Sequence, residues 1–256
     1  MPSIFTTCKL YCDPEPEYGL RLLAPLTPDA CCSVFRADLT DVFSGSELHY
    51  VAKLVYRHYG VVVHQELEKR WPYQESQAFQ RGHQLATFAP KLFGWSQKPG
   101  INTCLYIMEY LLPPYWDTEG WLTLTALGLD MAAQHLTPIY QVLKEIVAYL
   151  TSLELVHGDL RPNNLMIKMQ KSMVLAQPVQ IKVVDFEWAG KVGFARYPHN
   201  RNEDLGYPGK PGDLIGRDDD LFMIKKWFES MEEYKSHNPN RRASTSRVPW
   251  APLLAT

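Results

Sequence analysis

The sequence predicts an α+β fold, a strand-rich N-terminal half followed by a half that is mainly helical. Short apolar runs between residues 18 and 112 alternate with clusters of Pro, Gly, Ser and Asp, the pattern of strands and turns. The paired prolines Pro113 and Pro114 in "LLPPYWDTEGW" then break the chain as a hinge does. Beyond them, Ile139, Val142, Leu143, Ile146, Val147 and Leu150 recur on one helical face.

In chain order, "YGLRLLAPL", "CCSVFRADL", "LHYVAKLVYR", "KLFGW" and "NTCLYIMEYLL" read as strands. "YQESQAFQRGHQLATFA" reads as a helix between the third and fourth of them, because Ala78, Phe79, Gly82, Leu85, Ala86 and Ala89 fall at helical spacing after Pro72. Thr137 is the expected N-cap of the next helix, with Pro138 at its first position, where the missing N–H costs nothing. "LMIKM" and "QIKVVDFEW" read as two strands of a small ribbon, "PHNRNEDLGYPGKPGDL" as irregular loop and "DDDLFMIKKWFESMEEY" as an amphipathic helix. From Lys235 the chain carries Lys235, Arg241, Arg242 and Arg247 with no acidic residue, the composition of a mobile tail. The expected division is therefore 1–112, 113–234 and a basic tail over 235–256.

Composition narrows the function classes. A chain of 256 residues with 46% hydrophobic content can build a sizeable core, and a net charge of −2 gives no basic field for nucleic acid. The 5 cysteines are odd in number and lack CxxC pairs, so neither a disulfide framework nor a zinc site is indicated. With no signal pattern at the start and no run of about 18 apolar residues, a soluble, intracellular, cytoplasmic protein with no membrane partner is expected.

The chemistry concentrates in "LVHGDLRPNNLMI". It sets His157, Asp159, Asn163 and Asn164 between apolar residues, where each needs a partner if buried. Asp159 and Asn164, between a helix and a strand, suit one cavity: a carboxylate that positions or deprotonates a hydroxyl, and an amide oxygen for a metal. Asp185 closes the apolar strand in "VVDFEW" as a hard oxygen ligand suited to Mg²⁺, and Lys53 in "YVAKLV" brings an ammonium that reaches phosphate oxygens. Together these four residues describe phosphoryl transfer from a nucleotide.

These stretches resemble the protein-kinase superfamily. "HGDLRPNN" is similar to the catalytic loop HRDLxxxxN, "VDFE" to DFG and "VAKLV" to the VAIK strand, in the same chain order over roughly residues 20–230. The HGD form looks more like aminoglycoside-type phosphotransferases, and the layout with "APKLFGW" and "RYPHN" resembles small kinase-like proteins of fungi. The resemblance implies a two-lobed protein-kinase-like fold, with an N-terminal antiparallel sheet lobe and a reduced helical lobe, that binds ATP and Mg²⁺. It implies that Lys53 holds the α- and β-phosphates, Asp159 acts on the acceptor hydroxyl, Arg161 reaches the transferring phosphate, and Asn164 and Asp185 bind Mg²⁺. It places Met108 behind the adenine, with the backbone of Glu109 and Leu111 on the base. Glu75 is the chosen carboxylate partner of Lys53, with Glu66 and Glu68 as alternatives, and Asp220 would brace the catalytic loop.

The sequence departs from that family at three places. "TPDACCSVFRA" stands where a glycine-rich phosphate loop would be, Glu187 takes the third DFG position, and Gly158 replaces the arginine of HRD, with no APE motif after Asp185. Regulation by loop phosphorylation and a protein-substrate platform are therefore unsupported. The expected function is transfer of the γ-phosphoryl group of Mg-ATP to a hydroxyl acceptor, a protein Ser/Thr or a small molecule. The alternative is a pseudokinase serving as a nucleotide-binding or interaction module. A metal-dependent hydrolase built on the same carboxylates leaves Lys53 and "MEY" unexplained.

Overall fold

The computed structural model describes residues 18–25, 34–41, 47–56, 59–69, 87–97, 103–115 and 117–238. The described chain is α+β, with antiparallel sheets and helices. Strands β1 (Tyr18–Pro25), β2 (Val34–Asp41), β3 (Glu47–Val55), β4 (Leu92–Gln97) and β5 (Cys104–Glu109) form one antiparallel sheet in the order β1-β2-β3-β5-β4. All five expected strands are present, with ends moved by a few residues.

Period-two alternation gives the two central strands different faces. Tyr50 and Ala52 of β3 pack with Leu105 and Ile107 of β5 in a small cluster on one side. Val51 and Val55, with Tyr106 and Met108, belong to the main core on the other. Lys53 shares the parity of Val51 and Val55 and lies opposite Tyr106 in the register, so the strand itself turns its ammonium toward the main core.

A helix unforeseen in the sequence, α1 (Val61–Glu68), follows β3 and buries Val63, His64 and Leu67. It approaches closely at Gly60, where an added Cβ would lie 2.6 Å from the Cβ of Ala189. The Gly60 N–H donates to the Phe186 carbonyl at 2.8 Å, tying the start of α1 to the turn after Asp185. Most of the helix expected over "YQESQAFQRGHQLATFA", Glu75 included, lies outside the described residues. Its last residues, Thr87 to Ala89, form a bridge and bends and not a helical end.

The second half holds strand β6 (Gly120–Thr123) and helices α2 (Leu124–Leu127), α3 (Leu129–Gln134) and α4 (Leu136–Ser152). The start of α4 corrects the capping expectation: the N-cap is His135, without a side-chain capping bond, and not Thr137. The reason is that α3 ends just before α4 and its buried Ala132 and Ala133 extend the apolar face backwards, so Pro138 falls inside the first turn. Strands β7 (Leu155–Val156), β8 (Leu165–Gln170), β9 (Val174–Leu175), β10 (Ile181–Val183) and β11 (Gly190–Lys191) surround the "HGD" and "VDFE" stretches. β8 is central to a sheet with β6, β10 and β9, and β7 pairs with β11.

Helix α5 (Asp219–His237) closes the fold and runs three residues past the expected boundary at 234, so Lys235 belongs to it. One apolar core runs from Val55, Tyr106 and Met108 of the large sheet to Ile139, Leu143 and Ile146 of α4 and Ile224 and Met231 of α5. Among the described residues no helix is long and apolar enough to cross a membrane.

Candidate functional site

The stretch after β7 has two backbone features that aim its side chains. Gly158 has φ +80°, and an added Cβ there would lie 2.5 Å from Cδ1 of Ile215, so glycine is the residue that fits and the arginine of HRD is not. The Asp220 carboxylate, fully buried at the start of α5, accepts the N–H of His157 at 2.6 Å and of Gly158 at 2.8 Å. Burial raises Asp220 to about 6, opposed by those two amide bonds. His157 is also wholly buried: Nδ1 accepts the Asp159 N–H at 3.3 Å and Nε2–H donates to the Val184 carbonyl at 3.2 Å. Desolvation holds it neutral, down at about 4, and with both ring nitrogens engaged it ties the Asp159 and Asp185 segments together.

Asp159 is buried and receives three side chains. Asn164 Nδ2 donates to its Oδ2 at 2.7 Å, Arg161 Nε lies 3.0 Å from Oδ1 and 3.1 Å from Oδ2, and the Tyr207 phenol donates to Oδ1. Burial raises the Asp159 carboxyl, while the Tyr207 and Arg161 contacts work to keep it ionised. The other Asn164 amide hydrogen goes to the Asp159 carbonyl at 2.9 Å, which leaves Oδ1 as the acceptor of that side chain. The Asn164 carbonyl in turn accepts the Val184 N–H at 2.9 Å and so brings the Asn164 and Asp185 segments side by side.

Asp185 follows β10 with φ +68°, a left-handed conformation that aspartate tolerates better than most residues and that is found at functional turns. That turn sends its carboxylate to Lys53 Nζ, 2.6 Å away across 132 residues of sequence. Glu187 reaches the same ammonium at 2.8 Å. Desolvation alone would lower Lys53, and the two carboxylates outweigh it, so its net shift is upward. Desolvation likewise works to raise Asp185, and the Lys53 charge turns the net shift downward.

Of the carboxylates expected to pair with Lys53, Glu75 lies outside the described residues. Glu66 binds Lys69 and accepts the Tyr149 phenol at 3.1 Å, and Glu68 accepts the Leu92 N–H at 3.0 Å, so neither alternative serves Lys53. Where α1 packs toward the site it presents His64, stacked on Phe186 at 4.4 Å and fixed between the Tyr59 hydroxyl and the Pro90 carbonyl. At the end of β5, Met108 is buried and the Glu109 carboxylate pairs with Lys182 at 2.6 Å. The Glu109 N–H is already given to the Lys91 carbonyl at 2.8 Å, so its contact with a base would fall to its own carbonyl. Leu111, in the irregular stretch after β5, is half-buried.

The structure thus joins Lys53 with Asp185, and Asp159 with Asn164 and Arg161. It adds Glu187 and Tyr207, for which sequence reasoning had no partner. The DFE departure marks Glu187 but not what it touches, and "GYPGKPG" carries no signal that Tyr207 reaches Asp159 from 48 residues away. Asn164 and Asp185 offer two hard oxygen donors, which fits Mg²⁺, an ion that keeps waters and substrate phosphates as its other ligands. Among the described residues no cluster of three or more His, Cys, Asp or Glu is placed to hold a metal ion. No protein-family model matches the chain, and no curated protein is similar to it in sequence.

Proposed function

We propose that this chain is a kinase-like phosphotransferase that moves the γ-phosphoryl group of Mg-ATP to a hydroxyl acceptor. The five-stranded sheet would serve as the nucleotide-facing lobe, and the part from residue 113 onward as the lobe bearing the acceptor machinery. The observation that carries the reading is the buried Lys53 ammonium held 2.6 Å from Asp185, with Asp159 and Asn164 joined in the next segment. A buried cation at a strand centre, aimed at a carboxylate on a left-handed turn, is an expensive arrangement for stability alone and a useful one for phosphate and metal.

In this reading Asn164 Oδ1 and Asp185 would hold Mg²⁺, which when bound neutralises charge on the phosphates. Lys53 turns from the carboxylates toward phosphate oxygens, and Arg161 faces the transferring group. Asp159 orients the acceptor hydroxyl and takes its proton as the acceptor oxygen bonds to the γ-phosphorus. The bond from that phosphorus to the β,γ-bridging oxygen breaks, and ADP leaves.

One observation favours a pseudokinase instead: the Lys53 ammonium is already engaged by two carboxylates, Asp185 at 2.6 Å and Glu187 at 2.8 Å. A thermal shift with ATP, with and without Mg²⁺, tests nucleotide binding. At about 100 times Kd, bound nucleotide adds about 2.7 kcal/mol. For a chain of this size that raises Tm by about 5–10 °C. The shift should require Mg²⁺ and shrink in Lys53→Ala and Asp185→Asn. An unchanged shift in both variants would remove the site assignment.

A further inference from the structure

Among the donors to Asp159, Tyr207 stands apart. Arg161 and Asn164 lie two and five residues from Asp159 and travel with its loop, whereas Tyr207 comes from 48 residues away. A carboxylate has about four lone-pair positions. Here Asn164 takes one on Oδ2, Arg161 is shared between both oxygens, and the Tyr207 phenol takes Oδ1. An acceptor that is to lose its proton to Asp159 must present an O–H to this carboxylate, and Tyr207 already presents one.

We propose that the Tyr207 phenol is an internal stand-in for the acceptor hydroxyl, a positioning residue that keeps water and unsuited hydroxyls off Asp159 until a true acceptor displaces it. The inference rests on the phosphotransfer reading and adds to it how access to the same carboxylate is controlled.

The surroundings of Tyr207 suit a part that holds its place yet can leave. Its ring lies 5.1 Å from that of Trp188 and 5.6 Å from that of Tyr197, and the Arg201 guanidinium sits 4.9 Å over it. Tyr197 is the fixed wall, wholly buried with its hydroxyl on Asp219 at 2.8 Å. Arg201 is held by a bond to the Gly209 carbonyl and by the two ring faces, while its buried Nε and Nη1 find no hydrogen-bond partner among the described residues. Tilted ring contacts and the cation–π contact hold Tyr207 in place, and its phenol hydrogen-bonds to Asp159. An acceptor's O–H can replace that bond like for like. Water can do so too, but without the ring contacts that favour Tyr207.

Tyr207→Phe tests this without knowledge of the acceptor, because it keeps the ring and its aromatic contacts and removes only the hydroxyl. Hydrolysis of Mg-ATP should rise by about tenfold or more, up to the factor of about 10²–10⁴ that a positioned base supplies, as water gains the vacated position on Asp159. Mg-ATP affinity, read by thermal shift on the same samples, should stay within about twofold, since Tyr207 is assigned no nucleotide contact. Adding Asp159→Asn to Tyr207→Phe should abolish the rise. Tyr207→Ala, which also empties the ring position, should raise hydrolysis at least as much if it remains folded. A purely structural tyrosine would lower Tm and would not raise a rate.

Hydrolysis that is unchanged or lower in a folded, Mg-ATP-binding Tyr207→Phe protein overturns the proposal. So does phosphate found on Tyr207 by mass spectrometry of the unaltered protein, which would make the phenol an acceptor and not a stand-in. If the unaltered protein binds no Mg-ATP, the phosphotransfer reading itself fails and this inference falls with it.

Discussion

Asp220→Ala takes the acceptor from two buried amides at once, those of His157 and Gly158, which meet the carboxylate at 2.6 and 2.8 Å. Each amide left without a partner costs about 1–3 kcal/mol, so the pair accounts for about 2–6 kcal/mol. The lower part of that range is expected at neutral pH, because the buried carboxylate is itself unfavourable, as its rise to about 6 records. Urea unfolding followed by circular dichroism should give a loss of about 2–4 kcal/mol at pH 7. The pH dependence has a definite sign. A carboxyl whose folded value lies above its unfolded one binds its proton more tightly in the native state, so its contribution is fully present below about pH 4 and lost as pH rises through about 6. The gap between the unaltered protein and Asp220→Ala should therefore widen by about 1–3 kcal/mol from pH 7 to pH 4. A loss below about 1 kcal/mol at both pH values would refute the reasoning, since the amides would then have found other partners.

Glu187→Gln removes a negative charge 2.8 Å from Lys53 and near where phosphates would lie, so Mg-ATP should bind about fivefold tighter by calorimetry, worth about 1 kcal/mol. Weaker binding would instead make Glu187 the carboxylate that Lys53 needs. Glu66→Gln and Glu68→Gln should leave nucleotide affinity unchanged in the same assay, because their carboxylates are engaged with Lys69 and Tyr149, and with the Leu92 amide. Gly158→Ala imposes a left-handed φ on a Cβ that meets Ile215, and should cost about 1–3 kcal/mol of stability in urea unfolding; a neutral result would mean that the turn relaxes freely.

The large sheet was legible because its strands are short apolar runs separated by segments rich in Pro, Gly, Ser and Asp, and the shared parity of Lys53 with Val51 and Val55 gives the face it takes. Helix α1 was not, because Val61, Val62 and Val63 are β-branched and read as strand, while the burial of Val63, His64 and Leu67 that makes the segment helical is tertiary. Thr137 offered good capping chemistry, but the packing of Ala132, Ala133 and Leu136 decides where α4 begins. At the site, Lys53, Asp159, Asn164 and Asp185 were legible because each is a polar residue set in an apolar run. Their partners were not, since Glu187 on Lys53 and Tyr207 on Asp159 are contacts between distant segments with no local spacing to reveal them.

Asp159→Asn bears most directly on the phosphotransfer reading, because it keeps the side chain's size and removes the charge that would take the acceptor's proton. The measurement is transfer of labelled γ-phosphate from Mg-ATP across a broad panel of protein and small-molecule hydroxyls, with Mg-ATP affinity read on the same samples. Affinity should stay within a few-fold while transfer falls by about two to four orders of magnitude, the range for losing a positioned base. Unaltered protein that binds Mg-ATP yet transfers no more phosphate than Asp159→Asn would contradict the account and leave the pseudokinase.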